Sequence, residues 1–255
     1  MTDAVRPADV AELLTWLRDT RDPVRVRGAA SSGIAPAPGA LDLRLDGLVG
    51  VTEYRPDDLV LTARAGTSLA ERCDTLAAEG QRLPVSPWTA GGRGTLGGVV
   101  ATCADGLSAT RGGRLRDIVL GATFALADGS LVTAGARGVK SVAGFDLPRA
   151  LAGCRGELAA LVEVTLRVEA VPAATAVVTW RGEWRGVVAA VAALRAEALE
   201  PSALVVARDG DAVHVVAQLG SGRRAVHAAV RRLASAGFVE NDEGDDRLDA
   251  WTERL

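Results

Sequence analysis

The sequence predicts an α+β chain, and three observations lead to that class. Helix-spaced apolar runs alternate with short strand-like runs along the whole length. Glycine is abundant, 29 of 255 residues, which implies many tight turns and close backbone approaches. The segment after Pro172 reads strand, helix, strand, strand, helix, an order that builds a sheet with helices on one side.

Taken in order, residues 8–19 place Val10, Leu13, Leu14 and Leu17 at helical spacing, with Trp16 on the flank. An amphipathic helix follows. Residues 23–28 alternate apolar and charged side chains and run into a small-residue loop at 29–33, a strand followed by a tight turn. Residues 41–45, 50–54 and 59–66 are three further strand-like runs. Thr67 or Ser68 caps a helix over 69–78 with Glu71 in its first turn. The stretch 86–98 is too rich in Gly, Pro, Ser and Thr to be regular throughout, and a small-residue helix packed closely on its neighbour starts at Leu96. Residues 118–138 form a hairpin about an Asp128-Gly129 turn. A helix is expected around 147–152 and a buried strand over 158–168, and Pro172 closes the unit. Beyond it, strands are expected at 174–180, 203–208 and 213–219, helices at 184–198 and 221–236, and a short last strand at 238–240. That order is a ferredoxin-like α+β module. The predicted domains are therefore residues 1–172, residues 173–240 and a polar tail over 241–255, acidic apart from Trp251, that serves as a mobile or partner-docking arm.

Composition narrows the function. With 48% hydrophobic residues, 24% charged residues and a formal net charge of −3, the chain has no basic stripe for a phosphate backbone. It also lacks the roughly 18 consecutive apolar residues of a membrane helix. Nucleic acid and direct membrane insertion are not expected. The start, Met-Thr-Asp-Ala-Val-Arg, lacks the basic and apolar regions of an export signal, so the expected location is cytoplasmic. Cys73, Cys103 and Cys154 form no C-x-x-C pair, and His214 and His227 lie far apart, so neither a disulfide framework nor a metal site is expected. Those histidines read as satisfied or surface groups. Trp88, Trp180, Trp184 and Trp251 read as core or interface anchors. Of 29 basic residues, Lys140 alone is lysine.

Four motifs occur in order: Thr95-Leu96-Gly97-Gly98-Val99-Val100-Ala101-Thr102, Arg111-Gly112-Gly113-Arg114-Leu115-Arg116-Asp117-Ile118-Val119-Leu120-Gly121, Ala127-Asp128-Gly129-Ser130 and Lys140-Ser141-Val142-Ala143-Gly144-Phe145-Asp146-Leu147. Together they resemble the FAD-binding fold of the vanillyl-alcohol-oxidase/p-cresol-methylhydroxylase type, and within it the glycolate oxidase E subunits. The resemblance spans about residues 24–170. It implies two α+β subdomains, divided around residues 65–90, with a flavin cleft between them and the ferredoxin-like module behind. It implies non-covalent FAD, since Ser31 or Ser32 stands where related enzymes carry an anchoring histidine. Cofactor contacts are implied for Arg27, Gly28, Ala29, Ala30, Ser31, Ser32, Thr95, Gly97, Gly98, Ala101, Thr102, Arg111, Arg114, Asp117 and Leu161, with no catalytic residue and no metal in the set. Gly97 and Gly98 have two readings, either N–H donors to the pyrophosphate at a helix start or room for close helix packing. Arg111, Arg114 and Arg116 are either anion binders or a solvated cluster, and Asp117 and Asp146 are turn or cap residues.

The sequence departs from the family in two places. Its glycine-rich first loop is matched by Arg27-Gly28-Ala29-Ala30-Ser31-Ser32, where two glycines are alanine and a Cβ narrows the approach. Its later Gly-Ser-x-Gly-Thr-Leu-Gly run is matched by Gly153-Cys154-Arg155-Gly156-Glu157-Leu158-Ala159, which puts a carboxylate close by. Only about 80 residues follow Pro172, too few for a substrate pocket of their own. The expected function is thus an accessory subunit of a heteromeric glycolate-oxidase-like 2-hydroxy-acid dehydrogenase, a redox relay or structural flavin subunit. Its expected partners are a larger FAD-containing catalytic subunit and an iron–sulfur subunit, with hydroxy acid and membrane reached only through the complex. The alternative is a flavin-free scaffold that stabilises a catalytic flavoprotein.

Overall fold

In a computed structural model, the structure describes residues 4–29, 39–86, 94–108, 113–135 and 146–241, the side chains of residues 71–73 excepted. Contacts divide the chain into two units, residues 1–106 with 114–170 and residues 107–113 with 171–255.

The described elements of the first unit are, in chain order, α1 (Val10–Asp19), β1 (Val24–Arg27), β2 (Leu41–Arg44), β3 (Val51–Arg55), β4 (Val60–Arg64), α2 (Leu69–Ala78), β5 (Gln81–Arg82), α3 (Leu96–Thr102), α4 (Leu115–Ile118), β6 (Val119–Ala125), β7 (Leu131–Gly135), α5 (Leu147–Leu151), β8 (Ala160–Arg167) and β9 (Glu169–Ala170). Helix α1 starts where the Asp9 side chain accepts the Glu12 N–H (2.8 Å) while the Glu12 carboxylate accepts the Ala8 N–H (2.6 Å). This reciprocal capping satisfies one open donor of the first turn, at Glu12, and one of the residue before the N-cap, at Ala8. Strands β1 and β2 pair in parallel, Arg27 opposite Arg44. The main sheet has the order β3-β4-β8-β6-β7 and is antiparallel throughout. Strand β8 runs through its middle and serves two cores. Ala160 and Val162 pack with Leu13, Leu17 and Leu43 of α1 and β2, whereas Leu161 joins the larger core built from α2, α3, α4 and the sheet. Alternation across the strand separates Leu161 from Ala160 and Val162, and beyond the register shift against β6 Val164 and Leu166 turn to the larger core.

Two elements have no counterpart in the sequence reading, α4 and the β5–β9 ladder in which Gln81 faces Ala170. Both are too short to show a period. The Asp128-Gly129 hairpin turn forms as expected, with Gly129 at φ +75, and it docks on α1 through Arg18, which donates to the Gly129 carbonyl (3.3 Å). The Asp128 carboxylate accepts the Ser130 hydroxyl (2.6 Å) and N–H (2.8 Å), and these bonds hold it below its ordinary pKa. A depressed folded-state value means that the turn's contribution is complete above about pH 3.9, the value for an unfolded aspartate, and is lost as pH falls through the lower folded value. The melting-temperature gap between wild type and Asp128→Asn is therefore expected at neutral pH and should close in strong acid. A gap of constant size across a pH series would refute that assignment.

The second unit contains β10 (Ala174–Gly182), a single 3-10 turn (Trp184–Gly186), α6 (Val187–Ala196), β11 (Ala203–Asp209), β12 (Ala212–Ser221), α7 (Arg223–Ser235) and β13 (Val239–Asn241). The strand order is β11-β12-β10-β13 and every pair is antiparallel. This is the ferredoxin-like arrangement the order of elements predicts. Helices α6 and α7 bury Ala190, Leu194, Ala229 and Leu233 against Val178, Val215 and Leu219. Trp180 packs there too, close enough to Gly182 and Gly186 that a Cβ on either would lie 2.5 or 2.6 Å from its ring. Trp184 is 68% exposed, so of the two expected roles, core or interface anchor, it does not fill the core one, while Trp88 and Trp251 lie outside the described residues. No helix among the described residues is long and apolar enough to cross a membrane.

Candidate functional site

Strand β1 ends at Arg27, and the chain leaves the sheet at Gly28. A Cβ at Gly28 would lie 2.1 Å from Thr95 Oγ1, so a residue without a side chain is needed for the end of β1 to rest on the start of α3. Thr95 is buried and caps α3, its hydroxyl accepting the Gly98 N–H (3.2 Å). The loop that opens at Gly28 and the Thr95–Thr102 motif thus meet at one point.

The Gly97-Gly98 pair is divided by the helix. The Gly97 N–H donates to the Ala65 carbonyl (2.7 Å) and the Leu96 N–H to Thr67 (2.9 Å). A Cβ at Gly97 would lie 2.6 Å from that of Ala65. Gly97 therefore serves close packing of α3 beside β4, the second of its two readings. The donor reading is corrected for both glycines, because the Gly97 and Gly98 N–H groups are engaged within the chain. Gly98 lies on the other side of α3, where a Cβ would meet only Thr95 Oγ1, at 3.0 Å. Ala101 and Thr102 follow at i+3 and i+4 on that side, and all three are half-buried. The Thr102 hydroxyl is turned back onto the Gly98 carbonyl (2.8 Å).

The far end of α3 is held by the run that departs from the family. Gly153 N–H donates to Val100 (3.0 Å) and Arg155 N–H to Ala101 (2.7 Å). Gly153, Arg155 and Gly156 all have positive φ, and a Cβ at Gly156 would lie 3.0 Å from Val26 Cβ. Residues 153–156 thus touch both α3 and β1, while Glu157 points to solvent. Next to them, the Cys103 thiol donates to Asp105 Oδ1 (3.7 Å), which also accepts the Leu115 N–H (2.6 Å). Burial and, after it, the Asp105 charge push the Cys103 thiol up, so it stays protonated at neutral pH.

Other expected contacts sit elsewhere. The Arg27 guanidinium pairs with Asp42 on the neighbouring strand (2.6 Å), so its charge is directed along the β1–β2 pair. Leu161 is 4% exposed in the larger core of this unit, because its place on β8 turns its side chain inward. Asp117 accepts the Arg114 N–H (3.2 Å) at the start of α4, the cap role expected of it, and the Arg114 side chain is exposed. Ala29 is exposed. Ala30, Ser31, Ser32, Arg111 and the Lys140 motif as far as Phe145 lie outside the described residues. Sequence reasoning missed Ala65 and Asp105, and of Thr67 it saw a helix cap and not the contact with α3; these residues shape the site through backbone contact or a local cap. Their residue types signal nothing, and only the Gly-Gly pair hints that something must press on α3.

What these residues offer a flavin is a smooth surface. Gly98 and Ala101 share a face of α3 on which no side chain is larger than a methyl group or a folded-back threonine, beside Gly28 and Thr95. Such a face lets a flat ring or a phosphate chain approach backbone closely. The described residues fit FAD in that sense, by shape and not by a ring of free N–H donors.

A family model described as an FAD binding domain matches residues 4–135, just over half of the chain. Glycolate oxidase subunit GlcE of Escherichia coli (strain K12) is 34% identical over 151 residues, covering 58% of this chain and 43% of that protein. A D-lactate dehydrogenase of Archaeoglobus fulgidus is 29% identical over 163 residues, 63% of this chain and 36% of its own length. The chain spans less than half the length of these two relatives. The solved structure of an alkyldihydroxyacetonephosphate synthase matches 97% of this chain and 54% of its own with a TM-score of 0.78 at 15% identity, a likeness of fold.

Proposed function

Because the chain belongs to the FAD binding domain family, with relatives named as a glycolate oxidase subunit and a D-lactate dehydrogenase, we propose that it is the FAD-carrying accessory subunit of a heteromeric glycolate-oxidase-like dehydrogenase of 2-hydroxy acids. The observation that carries this reading is a GlcE-like sequence in which Gly28 meets Thr95 beside a face of α3, at Gly98 and Ala101, with no side chain larger than a methyl group. Its partners are a larger FAD-containing catalytic subunit and an iron–sulfur subunit, and the hydroxy acid is reached through the complex, as is any membrane.

When bound, FAD supplies two-electron redox chemistry and can release electrons singly to an iron–sulfur acceptor. The chain's own residues position it. Gly28 and Thr95 join the end of β1 to α3, Gly98 and Ala101 admit a flat group to the helix, and Arg114 offers a cation to a phosphate. Oxidation of a hydroxy acid also needs a base for the hydroxyl proton. His227 is exposed on α7 and His214 half-buried on β12, neither of them in the unit that holds the glycine motifs. Proton removal is accordingly assigned to the catalytic partner.

Purified protein is expected to show flavin absorption with about one FAD per chain. Gly98→Val should retain the fold yet lower bound flavin about tenfold or more, the effect of roughly 1.4 kcal/mol of lost contact. Flavin content unchanged by Gly98→Val would remove α3 from the site. A colourless wild-type protein that ignores added FAD would replace this reading with the flavin-free scaffold. Turnover of a hydroxy acid by the isolated chain with an artificial acceptor would overturn the accessory role.

A further inference from the structure

Helix α7 carries positive charge where a helix tolerates it least. Arg223 and Arg224 open it, its N-cap Gly222 provides no side-chain cap, and no acidic residue occupies the first turn. Cations at that end oppose the helix dipole. His227 and Arg231 follow Arg223 at successive four-residue steps, so one exposed face carries the series. Arg232 pairs with Glu197 (2.6 Å), whereas among the described residues Arg223, Arg224 and Arg231 form no ion pair. In a chain of net charge −3, this face stands apart.

The strand register says what lies within reach of it. Asn241 of β13 and Gln218 of β12 both face Val177 of β10, so they stand in one row across the sheet. Both strands run antiparallel to β10 and therefore in the same direction. Three residues beyond Gln218, β12 ends at Ser221 opposite Ala174, and Arg223 starts α7 two residues later. Strand β13 thus points toward the arginine-bearing end of α7, which itself packs on β10, β12 and β13. A gap of three rows is about 10 Å, and residues 242–246 can span up to about 17 Å. Those residues are Asp242, Glu243, Gly244, Asp245 and Asp246, four carboxylates in five positions.

We propose that the acidic segment 242–246 of this same chain docks on the basic face of α7, with its carboxylates opposite Arg223 and Arg224. The segment supplies the charge the first turn lacks, and the short tether favours it over a free partner. Arg247, directly after it, provides the readout. In the full chain, tryptic cleavage after Arg247, followed by mass spectrometry, is expected to be slower than in an isolated peptide of residues 240–255. Arg223→Glu with Arg224→Glu should speed it about threefold to tenfold, the range of one or two exposed ion pairs. Asp245→Asn with Asp246→Asn, corrected for the same change in the peptide, should do likewise. Combining the two pairs should add nothing further, since both remove one interaction. Far-UV circular dichroism checks that the fold is kept. Cleavage as fast as in the free peptide, or additive effects of the two pairs, would overturn the proposal. Protection that fades on dilution would also overturn it, in favour of the segment docking on a second copy. Flavin content enters none of these measurements.

Discussion

Gly97→Val is expected to destabilise the first unit by about 3 kcal/mol or more, at the upper end of what overpacking costs. The Cβ alone would lie 2.6 Å from Ala65 Cβ and 3.0 Å from its carbonyl oxygen. Ala65 cannot retreat. Its N–H donates to Val162 of β8 (2.9 Å) and its carbonyl accepts from Gly97 itself (2.7 Å), so it is fixed between the central strand and the helix. Either α3 lifts from the sheet, exposing Leu96, Val99 and Val100, or the β4–β8 ladder opens. Since domains are stable by only about 5–15 kcal/mol, much of the protein should be recovered unfolded or aggregated. Denaturant unfolding of whatever folds should show a lower midpoint at an unchanged slope. Together with Gly98→Val, this separates two glycines that stand side by side in sequence. One substitution should cost the fold, and the other the flavin. A Gly97→Val protein as stable as wild type would mean that α3 does not rest beside β4.

Gly66→Ala should be comparably severe, again about 3 kcal/mol, from the smallest side chain that can be added. Its Cβ would lie 2.2 Å from the Leu45 carbonyl oxygen and 2.7 Å from that of Leu48. Both are backbone atoms of the turn between β2 and β3, so no rotamer change relieves the clash. The Gly66 N–H donates to Leu48 (2.9 Å), and the Leu45 N–H donates to Arg27 (2.8 Å). The turn therefore transmits a displacement to the end of β1 and to Gly28. Melting should fall by roughly 10 °C, at 2–4 °C per kcal/mol for a unit of this size, and flavin retention should fall with it. An unchanged melting temperature would contradict the close approach at Gly66.

Much of the fold is legible in the residues. Leu13 and Leu17 mark the buried side of α1, Asp128-Gly129 marks the hairpin, and the order of runs after Pro172 predicts the ferredoxin-like sheet. Local signals succeed there because helix periodicity, turn chemistry and strand alternation are each set within a few residues. The site is less legible. Gly97 and Gly98 look alike in sequence, and Arg27 looks like a phosphate ligand until Asp42 is found beside it on the next strand. Leu161 looks available until β8 turns it into the core. In each case the deciding partner is distant in the chain: Ala65 for Gly97, Thr95 for Gly28, Val26 for Gly156.

By itself, then, the sequence determined the class of fold, the succession of elements and membership of a flavin-binding family, because those depend on patterns that neighbouring residues write together. The tertiary structure decided which glycine faces the sheet and which faces outward, which arginine is already paired, and that the helix start has no N–H groups to spare. Those choices depend on steric contact and hydrogen bonding between segments tens of residues apart, where a difference of one position along a helix turns a side chain by about 100°.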